Sequence, residues 1–159
     1  MNGILKLAIF NHISNVIFHR DIFIYFLNVN ALQLAASHNN SDIVDFLMMQ
    51  PEIKLHKEYF MFCEKLTQIT LPYSITSIDD FAFFRCFSLE SITFPSSVTS
   101  VGEASFRKCS SLAHITIPSS VVSIGNYAFN ECTSLEQVLF ENQSSLTSIG
   151  KYAFNKCSS

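Results

Sequence analysis

From Phe60 onward the apolar positions of this chain recur with a period far longer than that of a helix or a strand. Ile69–Ser91, Ile92–His114 and Ile115–Gln137 align without a gap, 23 residues apiece, and Val138–Ser159 continues the series with two extra residues near Asn142 and Gln143. A half repeat precedes them: Phe60, Cys63 and Leu66 each stand 23 positions before Phe83, Cys86 and Leu89. Leu89, Ile92 and Phe94 return as Leu112, Ile115 and Ile117, then as Leu135, Val138 and Phe140. The last residues of this segment alternate, with Thr93 and Thr116 facing the other way, which predicts a short strand with one buried face. Pro72, Pro95 and Pro118 end the strand, because proline has no N–H for a ladder. A Ser-rich turn and a second apolar pair follow: Ile75 and Ile78, Val98 and Val101, Val121 and Ile124. Gly102, Gly125 and Gly150 come next, with Asp79 in that place in the first full repeat; the position reads as a left-handed turn. The stretch from Tyr127 through Cys132 predicts one short helical or 3₁₀ turn on the outer side.

One such unit cannot bury enough apolar surface to offset the entropy of ordering its backbone. Stacked units shield one another's faces, so stability comes from neighbours. Every unit travels the same way round the coil, so its strands pair in parallel. The expected fold is an α/β repeat protein: a solenoid over 58–159, of a half repeat plus four with the last incomplete, and a helical segment over 1–57 packed on the first rung.

The motif Ile-x-Ile-Pro-x-Ser-Val-x-x-Ile-Gly-x-x-Ala-Phe-x-x-Cys-x-x-Leu, repeated over about 60–159, resembles the BspA-like class of leucine-rich repeats. The resemblance implies a right-handed leucine-rich-repeat solenoid with a parallel sheet of short strands on one side. This chain departs from the pattern where Ser105 replaces Ala, where Glu141 stands in the place of Pro, and at the insertion in the last repeat.

Ahead of the solenoid, Asn30-Ala31-Leu32-Gln33-Leu34-Ala35-Ala36 followed by Asp42-Ile43-Val44-Asp45-Phe46-Leu47 resembles an ankyrin helix pair over about 30–49. Small Ala35 and Ala36 permit close helix packing, Asn39 takes the place of the turn glycine, and Ser41 is placed to cap the second helix. A degenerate echo, Leu5-Lys6-Leu7-Ala8 with Val16-Ile17, lies 27 residues upstream in spacing. Phe84 and Phe87 occupy positions that later carry Arg107 and Ser110, then Asn130 and Thr133. Two phenylalanines at positions read as solvent-facing predict a neighbour that covers them.

Composition narrows the function. Hydrophobic residues make up 48% and charged residues 14%, which excludes a disordered chain. The net charge of -3 supplies no field for nucleic acid. The first ten residues lack the layout of a signal peptide, and the apolar run Ile22–Leu27 falls far short of the roughly 20 residues of a membrane span. The chain's own features therefore point to the cytoplasm, whereas the family resemblance implies the cell surface for some members.

All five cysteines, Cys63, Cys86, Cys109, Cys132 and Cys157, share one repeat position. The short Cys-x-x-Cys spacings of a metal site are absent, so the column reads as packed free thiols. Adjacent rungs bring their Cα atoms within disulfide range, but parallel side chains are poorly aimed for the bond. His114 follows Cys109 closely, yet it takes a strand position held elsewhere by Ser91 and Gln137 and reads as a surface residue. Phe81, Tyr127 and Tyr152 form an aromatic column expected to stack between rungs. No phosphate loop or catalytic pair stands out, so the expectation is no enzyme, no metal and no cofactor.

The candidate site is instead a surface. Gln68, Thr70, Glu90, Ser91, Thr93, Ala113, His114, Thr116, Glu136, Gln137 and Leu139 point outward from the strands as a small, polar, Thr-rich face. Solenoids use such faces to bind proteins. The expected role is a protein–protein interaction module, with no nucleic acid; the resemblance also implies a surface antigen or adhesin that binds host or matrix proteins. The sequence stops one residue short of the Leu that opens another strand, which reads as a fragment or as an open rung available for self-association. Sequons at Asn39 and Asn142 matter only on a secretory route.

Overall fold

The computed structural model describes residues 31–49 and 60–157. Over 60–157 it is a parallel-strand solenoid of about four turns, and each rung contributes to three sides. The first side carries β1 (Gln68–Thr70), β3 (Ser91–Thr93), β5 (His114–Ile117) and β7 (Gln137–Phe140); the second carries β2 (Ser77–Ile78), β4 (Ser100–Val101), β6 (Ser123–Ile124) and β8 (Ser148–Ile149). On the first side β1 pairs with β3 and β5 with β7 in parallel, with Ile69 opposite Ile92 and Ile115 opposite Val138. The second side is one continuous sheet in the order β2-β4-β6-β8. Parallel strands thus occupy two sides, not one. The second apolar pair of each rung forms its own ladder because Ile78, Val101 and Ile124 also alternate with polar neighbours.

The two-residue insertion leaves the pairing intact. Ser123 pairs with Ser148, a separation of 25 in place of 23. The excess is taken up in the turn after β7, where Gln143 has φ 59°. At Glu141 the missing proline restores a donor: its N–H bonds to the Ile117 carbonyl at 3.1 Å, and its carboxylate accepts from the Ser119 N–H at 3.0 Å.

From the first full repeat on, the third side is made of turns and not of helix. Hydrogen-bonded turns run there, with two non-glycine residues of positive φ in every rung: Phe81 and Arg85, Ala104 and Lys108, Tyr127 and Glu131, Tyr152 and Lys156. Left-handed backbone costs an L-residue about 1–2 kcal/mol. It is offset by bonds to the next rung, since Tyr127, Phe129 and Glu131 donate to the carbonyls of Lys151, Ala153 and Asn155 at 2.7–2.9 Å, and earlier rungs repeat the pattern. The expected helical turn is therefore wrong, although the i to i+3 spacing that prompted it is real.

The glycines need correction too. None has positive φ. A Cβ on Gly125 would lie 2.6 Å from the backbone of Gly102 and Glu103, and one on Gly150 would collide with the Asn126 nitrogen. Glycine is required because successive backbones touch there.

The core is one continuous cluster running from the front segment into the last rung. Helical turns over 31–37 and helix α1 (Ser41–Met48) bury Leu32, Ala35, Ala36, Val44, Leu47 and Met48 in it. Asn39, at φ 51°, makes the turn between them, and its side-chain oxygen accepts from the N–H and hydroxyl of Thr67 at 3.2 and 3.1 Å. The N-cap is Asn40, not Ser41, and it makes no side-chain capping bond. The upstream echo at 5–17 lies outside the described residues.

Phe84 is half-buried, edge-on to Phe62 and Phe81 at 5.5 and 5.9 Å, so these rings cover it, while Phe87 stays 37% exposed. Its repeat position is not a solvent one: Arg107 there is half-buried, and Asn130 is 3% exposed, its amide bonded to the Asn155 carbonyl.

Candidate functional site

The first side places its outward residues on two pairs of parallel strands, β1 with β3 and β5 with β7. Gln68, Thr70, Glu90, Ser91, Thr93, His114, Thr116, Glu136, Gln137 and Leu139 are all exposed, and Ala113 is half-buried. Register sets them in columns: Thr70 beside Thr93, His114 beside Gln137, Thr116 beside Leu139. Between them Ile69, Ile92 and Ile115 turn inward with at most 7% exposure. Alternation fixes the strand centres, where Thr70, Thr93 and Thr116 each sit between two buried neighbours. Backbone bonds from Glu90 N–H to Thr67 and from Glu136 N–H to Ala113 tie the entry of each strand to the rung before it. The face carries two carboxylates and no lysine or arginine. It offers hydroxyls, amides and one imidazole at regular intervals, chemistry suited to hydrogen-bonded recognition.

Beneath this face runs a stack that spacing alone left unremarked. Phe60, Phe83, Phe106, Phe129 and Phe154 lie ring on ring, with centroids 5.1–5.2 Å apart and planes within 11° of parallel. The first four are fully buried. Their recurrence 23 residues apart was the available signal. Tyr127 and Tyr152 stack on the outside at 5.3 Å, but Ala104 interrupts the column above Phe81, which turns its edge to Phe84 instead.

The cysteines are free; four are buried and Cys157 is half-buried. Each thiol from the second onward donates to the carbonyl of the stacked phenylalanine one rung before it: Cys86 to Phe60, Cys109 to Phe83, Cys132 to Phe106 and Cys157 to Phe129, at 3.0–3.2 Å. The same carbonyls accept the N–H of the cysteine in their own rung, as from Cys109 to Phe106 at 3.1 Å. The thiol thus satisfies a second lone pair of a buried carbonyl while remaining apolar enough for the core. Burial, reinforced by the neighbouring Cys86, pushes the Cys63 thiol up to about 12. Burial likewise raises Cys109, Cys132 and Cys157. Such thiols are poor nucleophiles at neutral pH. Among the described residues no group of three or more His, Cys, Asp or Glu side chains is placed to hold a metal ion, and no helix is long and apolar enough to cross a membrane.

Six copies of the BspA type leucine rich repeat region match residues 39–159. The chain belongs to this family. The match begins at Asn39, inside the segment that resembles an ankyrin pair, so that pair is a minor addition to a BspA-type solenoid. Solved structures are similar to this chain over part of its length. A leucine-rich repeat protein from Bacteroides ovatus is 28% identical with a TM-score of 0.46, covering 65% of this chain and 38% of that one. The pneumococcal vaccine antigen PcpA is 21% identical with a TM-score of 0.51, covering 64% of this chain and 29% of that one. A leucine rich cell surface protein from Faecalibacterium prausnitzii is 25% identical with a TM-score of 0.39, covering 58% and 37%. The BspA-type chain therefore spans well under half the length of these three. No curated protein matches it.

Proposed function

We propose that this chain is a non-enzymatic protein-interaction module whose first side, β1, β3, β5 and β7, receives a protein partner. The observation that carries this reading is that ten residues on or beside these strands are exposed while Ile69, Ile92 and Ile115 between them are buried. Small hydroxyl-bearing side chains there lose little entropy on binding. The test uses proximity labelling in cells with the full-length gene product and a Thr93→Arg/Thr116→Arg variant. Loss of specific neighbours from the variant, at unchanged thermal stability, supports the face. An unchanged set of neighbours overturns it.

Family membership and the exposure of Asn142 on the insertion turn favour a second reading, a surface antigen or adhesin. Surface labelling of intact cells and occupancy of the Asn142 sequon support it; a protein recovered solely from the cytosolic fraction rejects it. Self-association belongs to either reading. The last rung exposes Phe140, Ile149 and Tyr152, at 42%, 52% and 58%, and the β8 edge is unpaired among the described residues. Sedimentation showing a strict monomer at high concentration removes self-association.

A further inference from the structure

Charge on this solenoid is sorted by side. The turns at 80–85, 103–108, 126–131 and 151–156 carry Arg85, Arg107, Lys108, Lys151 and Lys156 against Asp80, Glu103 and Glu131, an excess of two cations. The strand face carries Glu90 and Glu136 without a lysine or arginine. A chain of net charge -3 therefore presents one basic side. Its cations are interleaved with rings. The Arg85 guanidinium lies 5.7 Å from the Phe62 centroid and 5.4 Å from that of Phe84, and Arg107 lies 5.7 Å from the Tyr127 centroid. Tyr127 stacks on Tyr152, and Phe62, Tyr127 and Tyr152 are all exposed.

This side already binds a carboxylate, its own. Glu131 lies 3.3 Å from the Arg107 guanidinium and 3.6 Å from the Lys108 ammonium. Partial desolvation works to raise its pKa, but the Arg107 hydrogen bond and the charges of Lys108, Lys156 and Arg107 together hold it below the usual carboxylate range. The position of Glu131 also limits what else fits. Arg85, Lys108, Glu131 and Lys156 occupy one repeat position, and each has positive φ. With rungs about 4.8 Å apart, Lys108 and Lys156 are roughly two rungs, about 10 Å, from each other across Glu131. A polyanion with a charge at every step would meet the glutamate. A peptide in the polyproline II conformation returns to the same face every third residue, at about 9.3 Å, and so presents acidic groups to the two lysines while straddling Glu131. Exposed aromatic rings are the established platform for that backbone form.

We propose that the turn side is a second interaction surface, which docks an acidic peptide segment in extended, polyproline-like conformation, with carboxylates on Lys108 and Lys156 and its backbone against Phe62, Tyr127 and Tyr152. This surface is distinct from the strand face and stands or falls without it.

The probe is a fluorescein-labelled peptide of four Glu-Pro-Pro triplets, followed by fluorescence anisotropy on the whole chain. Comparison arms are the matching Lys-Pro-Pro peptide and a heparin fragment. The acidic peptide binds at least tenfold more tightly than the basic one. Lys108→Glu with Lys156→Glu weakens that binding at least tenfold. Glu131→Gln strengthens it about threefold by freeing Arg107 and Lys108. Circular dichroism and thermal melting confirm that each variant is folded. Equal binding of the two peptides, indifference to the charge reversals, or tighter binding of heparin than of the acidic peptide overturns the proposal; the last result would make the side a polyanion surface.

Discussion

The rung at 115–137 and the last rung, from Val138 on, have nearly the same apolar pattern and different fates. Ile117 is fully buried, but its counterpart Phe140 is 42% exposed; Ile124 is 2% exposed and Ile149 is 52% exposed. Phe129 is buried between two rings, whereas Phe154 is stacked on one side and half-buried. Burial in this molecule is therefore a property of the interface above and below a residue, not of the residue. Each rung supplies half a core, and a middle rung completes two.

Ile115 lies between Ile92 and Val138 with 2% exposure. Ile115→Asp leaves an unpaired charge between rungs and costs about 4 kcal/mol or more, a large share of the roughly 5–15 kcal/mol that holds an ordinary domain together. Val138→Asp, on a half-buried residue, costs less than half as much, and Thr116→Asp stays within about 0.5 kcal/mol. Urea unfolding measures all three. Equal losses at Ile115 and Thr116 would show that the inward and outward faces are misassigned.

Aromatic stacking sharpens the same contrast. Phe106→Ala deletes a ring held 5.1 Å from each neighbour and costs about 3–5 kcal/mol. Phe154→Ala removes one stacking contact from a half-buried position and costs about 2 kcal/mol. Matching midpoints for the two variants in thermal melts would mean that something covers the last rung in solution.

The sequence made the rungs, their register, the inward set and the thiol column readable, because each follows from a side chain recurring at a fixed spacing. What stayed hidden depends on one rung touching another. Tyr127, Ala128 and Phe129 have a helix-like pattern, yet bonds from Tyr127 and Phe129 to Lys151 and Ala153 override local propensity and hold Tyr127 left-handed. Gly125 reads as a turn glycine until the backbone of Gly102 is seen 2.6 Å from where its Cβ would be. The outward strand positions were legible from alternation alone. The basic turn side was not, because net charge averages Arg85, Lys108 and Lys156 against acids on other sides; placing the repeats over one another would have revealed them.

The thiols carry the contrast into pH. Cys63 is raised to about 12 and Cys109 and Cys132 are also raised, all chiefly by burial. Folded values lie above the unfolded thiol value of about 8.5, so the stabilisation is complete below pH 8.5 and declines as pH rises toward the folded values. In that window the unfolded chain has lost protons that the folded chain keeps, and Cys63, Cys109 and Cys132 each lower stability by about 1.4 kcal/mol per pH unit. Urea titrations between pH 8 and 10 should show a steep fall. Cys132→Ala should flatten it more than Cys157→Ala, since Cys157 is only half-buried. Equal slopes for the two variants would contradict the burial difference between rungs.

The smallest effect isolates polarity from packing. Ser105 is fully buried and its hydroxyl has no hydrogen-bond partner among the described residues. Ala82, Ala128 and Ala153 occupy the same place in the other rungs, so the cavity is shaped for a methyl group. Ser105→Ala removes an unsatisfied donor and acceptor while leaving almost no void, and should raise stability by about 1 kcal/mol. The reciprocal change, Ala128→Ser, buries a new hydroxyl in the next rung and should cost a similar amount. Ala153→Ser tests the comparison in the last rung, where a hydroxyl reaches water more easily through the open side, so its cost should be smaller. Thermal melts resolve shifts of this size. If Ser105→Ala destabilises, the hydroxyl has a partner in solution, and the column at Ala82, Ser105, Ala128 and Ala153 is wetter than its burial implies.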